Sequence, residues 1–158
     1  MRQRWIVTLA LLTAAALASP AYAASPEVVV RSSKGSFEDV KERVLLAIEN
    51  RGLVLNYTAR IGAMLERTGK DIGATRTIYA DAEMLEFCSA KLSRDTMEAD
   101  AGNIVFCPYS IAIYTLPKDR NKVYLAYRRL PASGPERSVK SLRAVEKLLA
   151  DIVAESLK

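Results

Sequence analysis

Cys88 and Cys107 are the only two cysteines in the 158-residue chain, and they bracket the stretch CSAKLSRDTMEADAGNIVFC. Two such thiols can close a disulfide, exchange disulfides or carry a sulfur atom, hold a soft metal, or simply pack as small apolar side chains. The chain contains no histidine. That removes Ser-His-Asp and Cys-His nucleophile arrangements and haem ligation by histidine. Two thiolates alone fall short of the four ligands of a structural zinc. A linear or trigonal Cu(I) site completed by Met84 or Met97 is the one metal arrangement left, and core packing competes for both methionines. No metal and no cofactor are therefore expected. If the thiol pair is reactive, Cys88 is the candidate thiolate. It lies just before a short helix, whose N-terminal partial charge, with Lys91 nearby, would lower its pKa. The Cys-x-x-Cys spacing of common oxidoreductases is absent.

Two other groups of residues invite a chemical reading. Asp81, Glu83 and Glu86 are close in sequence, and paired carboxylates can perform acid–base work, although three acids around a strand start also suit a solvated edge. Tyr109, Tyr127, Arg128 and Arg129 lie in two aromatic, β-branched runs. A sheet face carrying tyrosines and terminal arginines suits an anionic or aromatic small ligand or a protein partner. Strand alternation turns Tyr114 and Tyr124 away from Tyr109 and Tyr127 respectively, and packing under helices competes as the role of half of these rings. No phosphate-cradling glycine loop of the P-loop or Rossmann kind is present.

The amino terminus reads MRQRWIVTLALLTAAALASPAYA: a basic n-region, an apolar run, then small residues at a cleavage site. Residues 1–23 are expected to be a Sec-type signal peptide cleaved after Ala23, placing the mature chain in the periplasm or outside the cell. The apolar run is short for a bilayer core of roughly 30 Å, so no membrane anchor is expected to remain. Removing Arg2 and Arg4 takes Lys plus Arg from 23 to 21 against 18 Asp plus Glu, so the net charge falls from +5 to +3. Interspersed charge of that size is no nucleic-acid footprint. The 135 residues left after losing 23 of 158 suit one self-sufficient domain.

The elements that must position the candidates follow from periodicity. VVVRSS reads as a first strand. Ser36 caps a helix with Phe37, Val40, Val44, Ala47 and Ile48 at helical spacing, ending at Asn50-Arg51-Gly52. LVLNYTAR is a second strand and IGAMLERTGKDIG a short helix closed by glycines. AEMLEFC is assigned as a strand, followed by a short helix around Leu92, Thr96 and Met97. IVFCPYSIAIYTL and KVYLAYRRL form a hairpin across PKDRN, with Pro108 marking an edge or bulge. From about Ser138, Leu142, Val145, Leu148, Leu149, Ile152 and Val153 form the stripe of an amphipathic terminal helix. These elements suit an α+β single domain, an antiparallel β-sheet with two longer helices on one face. Cys88 then ends one strand and Cys107 begins its neighbour, at the same edge of the sheet.

The block LEFCSAKLSRDTMEADAGNIVFCPYSIAIYTLPKDRNKVYLAYRRL, the short ARIGAMLERTG segment and the closing helix resemble the domain-of-unknown-function 302 (DUF302) family over residues 28–157. The resemblance implies a TBP-like β-α-β4-α order and allows a homodimer; it brings no settled activity. Where family members often carry Cys-Asn-Pro or Gly-Asn-Pro at the first cysteine position, this chain has Cys88-Ser89-Ala90. The leading expectation is an exported module that binds an unidentified small ligand or protein partner without catalysis. The alternatives are a thiol/disulfide or sulfur-handling accessory using Cys88 and Cys107, and an enzyme using the acids near Asp81.

Overall fold

Alternating apolar residues in the strands and a 3.6-residue apolar repeat in the helices build a five-stranded antiparallel sheet under two long helices. The computed structural model describes residues 27–158, so the signal-peptide reading of residues 1–23 lies outside the described residues. In chain order the elements are β1 (Val28–Lys34), α1 (Phe37–Glu49), β2 (Val54–Ala59), α2 (Ile61–Gly69), β3 (Asp81–Cys88), α3 (Ala90–Ala99), β4 (Tyr109–Leu116), β5 (Asp119–Arg128) and α4 (Glu136–Ser156). Short 3-10 segments follow α2 at Lys70–Ile72 and α3 at Ala101–Phe106. The sheet order is β1-β5-β4-β3-β2, leaving β1 and β2 as its edges. No helix among the described residues is long and apolar enough to cross a membrane.

One sheet face carries Leu85 and Phe87 from β3, Ile111 and Ile113 from β4, and Val123 and Leu125 from β5, all fully buried. Val40, Val44 and Ile48 of α1 and Val145, Leu149, Ile152 and Val153 of α4 complete that core. The helix boundaries have local causes. Ser36 Oγ accepts the Asp39 backbone N–H at 3.1 Å, satisfying a donor that the first turn leaves unpaired. At the other end of α1, Gly52 adopts φ 66°, a left-handed conformation that a side chain would strain.

The hairpin turn is shorter than expected, since Asp119-Arg120-Asn121 already belong to β5, and one stretch departs further from its expected form. Ile104-Val105-Phe106 looks β-prone, yet it lies in the 3-10 segment, and β4 starts only at Tyr109. Side-chain hydrogen bonds decide the matter. Asp100 Oδ1 accepts the Gly102 N–H at 2.8 Å, and buried Asn103 donates to Thr96 O at 2.8 Å and Ser138 Oγ at 2.9 Å. Those bonds tie the segment to α3 and α4 and keep it from joining the sheet. Pro108, without an N–H, sits just outside the strand rather than in it.

Candidate functional site

The β3–β4 register sets the thiol pair. Phe87 lies opposite Tyr109, so Cys88 at the end of β3 faces the segment entering β4. Cys88 Sγ and Cys107 Sγ stand 3.1 Å apart as free thiols, each partly exposed. Ser89 caps α3 through its Oγ and the Leu92 N–H (3.4 Å), and one turn later the helix presents Ser93 to the pair. Ser93 Oγ lies 3.6 Å from Cys107 Sγ and 3.1 Å from the Tyr109 hydroxyl. Tyr109 itself is buried, its ring edge-on to Phe87 at 6.3 Å between centroids.

The electrostatics of Cys88 reverse the expectation of an activated thiolate. Burial, then its hydrogen bond with Cys107, pushes the Cys88 thiol up to about 11. The helix-terminus argument loses because desolvation penalises the charged sulfur, and because Lys91 is committed to Asp95 at 2.7 Å. Burial likewise raises the phenol of Tyr109.

Met84 lies four residues back along β3, roughly 13 Å from Cys88 at strand spacing, and lines a groove on the uncovered sheet face. Among the described residues, no group of three or more His, Cys, Asp or Glu side chains converges as a metal site would require. The three acids are separated as well. Asp81 accepts a hydrogen bond from Thr115 Oγ1 at 2.8 Å. Glu83 pairs with Lys41 at 2.7 Å beside α1. Glu86 pairs in register with Tyr57 on the opposite face by strand alternation.

The tyrosines sort by the same alternation. Tyr109 (4% exposed) and Tyr127 (7% exposed) share the helix-covered face with Ile111 and Leu125, so neither is available on an exposed sheet face as the sequence reading expected. Burial, then Glu146, raises the Tyr127 phenol. Arg129 Nη1 is paired with Glu146 Oε1 at 3.2 Å, and Arg128 is exposed at the end of β5 opposite Val28. On the face away from α1 and α4, Tyr114 and Tyr124 stack at 5.0 Å with planes 7° apart, and Tyr79 meets Tyr114 edge-on at 5.4 Å.

Tyr79 and Tyr114 line a groove of about 310 Å³, with Tyr124 stacked on Tyr114. Its floor is made of small residues: Ala112 faces Ala126 across β4–β5, and Ala82 lies on β3. Val30, Ile61, Tyr79, Met84 and Tyr114 form its sides. The wall from α2 stands close because residue 62 is glycine; a Cβ there would sit 3.0 Å from the Ala82 backbone nitrogen. Sequence reasoning missed this groove. The signal was available as alanines alternating with large residues in SIAIY and YLAYR, but their alignment depends on a register that no local pattern reveals.

A family model described as "Domain of unknown function DUF302" matches residues 28–156. The chain belongs to the DUF302 family. This DUF302 domain is also similar to the crystal structure of an uncharacterized conserved DUF302 protein from Bacillus stearothermophilus. The TM-score is 0.69 at 11% identity, covering 85% of this chain and 100% of that one, a likeness of fold. The comparison with curated proteins found no match.

Proposed function

We propose that this DUF302 domain is an exported, non-catalytic module that holds a small apolar or aromatic ligand in the groove on its uncovered sheet face. The alanine-floored groove carries the reading. A volume of about 310 Å³ falls at the small end of ligand pockets, and such pockets are typically apolar with a few aromatic walls. Ala82, Ala112 and Ala126 let a flat molecule approach the sheet backbone, and Tyr114, braced by its stack on Tyr124, supplies an aromatic wall beside it. Burying such a ligand would remove apolar surface from water at roughly 25 cal/mol per Å².

The test uses anilinonaphthalene sulfonate, an apolar aromatic fluorophore. Wild-type protein is expected to bind it saturably at a single site. Ala112→Phe, which fills the floor from the solvent side without entering the core, is expected to weaken binding at least about tenfold, a change of roughly 1.4 kcal/mol. Binding that Ala112→Phe leaves unchanged would place the probe elsewhere and remove the support for this reading.

Export rests on the residues ahead of the domain: Arg2 and Arg4, the apolar run and Ala21-Tyr22-Ala23. Amino-terminal sequencing of protein recovered from the native host is expected to begin at Ala24. An intact Met1 would count against export.

A further inference from the structure

The open-face groove makes no use of Cys88 and Cys107, and the surroundings of these two sulfurs are unequal. Cys107 Sγ is within 3.1 Å of Cys88 Sγ and 3.6 Å of Ser93 Oγ, so it can accept a hydrogen bond from each. The buried Tyr109 hydroxyl, 3.1 Å from Ser93 Oγ, can donate to the serine and leave the serine hydrogen turned to Cys107. A chain of donors can therefore run from phenol to serine to Cys107, and the Cys88 S–H can close on the same sulfur from the other side. Around Cys88 the balance differs. The Tyr109 backbone N–H favours its thiolate, but burial, the proton shared with Cys107 and the charge of Glu86 all act against one.

We infer that Cys88 and Cys107 form a dithiol–disulfide exchange site in which Cys107 is the attacking sulfur and Cys88 the resolving one. The co-reactant is a disulfide, R–S–S–R. The Cys107 thiolate attacks one of its sulfurs, forming a Cys107–S–S–R mixed disulfide and releasing RS⁻, which takes up a proton. Cys88 then loses its proton and attacks Cys107 Sγ, forming the Cys88–Cys107 disulfide and releasing the second RS⁻. Two thiols of the protein are oxidised, one external disulfide is reduced to two thiols, and protons and electrons balance. The run through α3 and the 3-10 segment, with Ser93 on it, already holds the sulfurs in contact. Resolution thus needs little motion. Both cysteines are partly exposed, which places the pair within reach of the co-reactant.

The experiment compares reduced Cys88→Ser and Cys107→Ser proteins, each verified as folded by circular dichroism, during a pulse of glutathione disulfide near neutral pH. Adducts are followed by intact mass. Cys88→Ser is expected to accumulate a stable glutathione adduct at Cys107 at least about tenfold faster than Cys107→Ser forms one at Cys88, because capture needs a thiolate and desolvation holds Cys88 protonated. Adding Ser93→Ala to Cys88→Ser is expected to slow capture several-fold, and Ser93→Thr to restore it, with no change at Cys88 in the Cys107→Ser protein. Wild type is expected to pass through the adduct to the internal disulfide and to return to dithiol in excess reduced glutathione. Equal rates in the two variants, or faster capture at Cys88, would overturn the assigned roles. A wild-type pair that stays reduced in excess glutathione disulfide, or an internal disulfide that resists excess reduced glutathione, would overturn the exchange site itself.

Discussion

Phe87→Ala is expected to lower the unfolding free energy by about 3–5 kcal/mol in a urea titration. Phe87 is fully buried at 0% exposure, between Leu85 on its own strand and the ring of Tyr109 opposite. Truncation removes its transfer free energy and leaves a cavity, and the surroundings cannot readily collapse into it. Backbone pairing of β3 to β4 on one side and to β2 on the other fixes the main chain at this position. The edge-on contact between the rings, at 6.3 Å, is also lost, a contribution of roughly 0.5–1.5 kcal/mol within that total. Val54→Ala makes the control. That side chain is 74% exposed on the edge strand opposite Cys88, and its removal is expected to change stability by no more than about 0.5 kcal/mol. The comparison bears on the thiol site as well, since Tyr109 packs on Phe87 and reaches Ser93 with its hydroxyl. A loss below about 1 kcal/mol in Phe87→Ala would show a site free to repack, contrary to a rigid core.

Local pattern carried most of the architecture, and the places where it failed have a common cause. The Ser36 cap, the Gly52 stop and the inward stripes of α1 and α4 are all set within a few residues of chain, and each is legible as written. The strand β3 with Cys88 at its end was also legible. The run from Ile104 to Phe106 was not, because Asn103 bonds to Ser138, 35 residues away, and that contact overrides β-propensity. The alternation of Tyr109 against Tyr114 could be read, but not which of the two faces the helices would cover. That depends on α1 and α4 packing together across the sheet, so the tyrosines chosen for an exposed surface are core residues and the half-buried Tyr114 and Tyr124 lie on the other face. The groove floor fails for the same reason, since Ala82, Ala112 and Ala126 meet only through inter-strand register. For the cysteines, proximity was readable from strand order, whereas the asymmetry was not. It comes from Ser93 and Tyr109 arriving on two separate elements.

The oxidation state of that pair has a second consequence, separate from its reactivity. Oxidised protein is expected to unfold with about 3 kcal/mol more free energy than reduced protein, because a bond between positions 19 apart restricts the unfolded chain. The difference should also depend on pH in a definite direction. The Cys88 thiol moves from 9.0 to about 11 on folding, so in alkaline solution the unfolded chain releases this proton first. The stabilisation of reduced protein by the partly buried neutral thiol is complete below pH 9.0 and disappears as pH rises through about 11. Tyr109 and Tyr127 are raised above 10.0 and weaken both forms in the same sense, whereas the disulfide has no thiol to ionise. The gap between oxidised and reduced stability is therefore expected to widen between pH 9 and about 11. Urea titrations with and without a phosphine reductant measure it, with Cys88→Ser as the protein in which reductant changes nothing at any pH. A reductant-insensitive wild type would mean that the sulfurs never bond. A gap that narrows with alkali would mean that the Cys88 thiolate is favoured in the folded protein, which its partly desolvated setting beside Cys107 and Glu86 opposes.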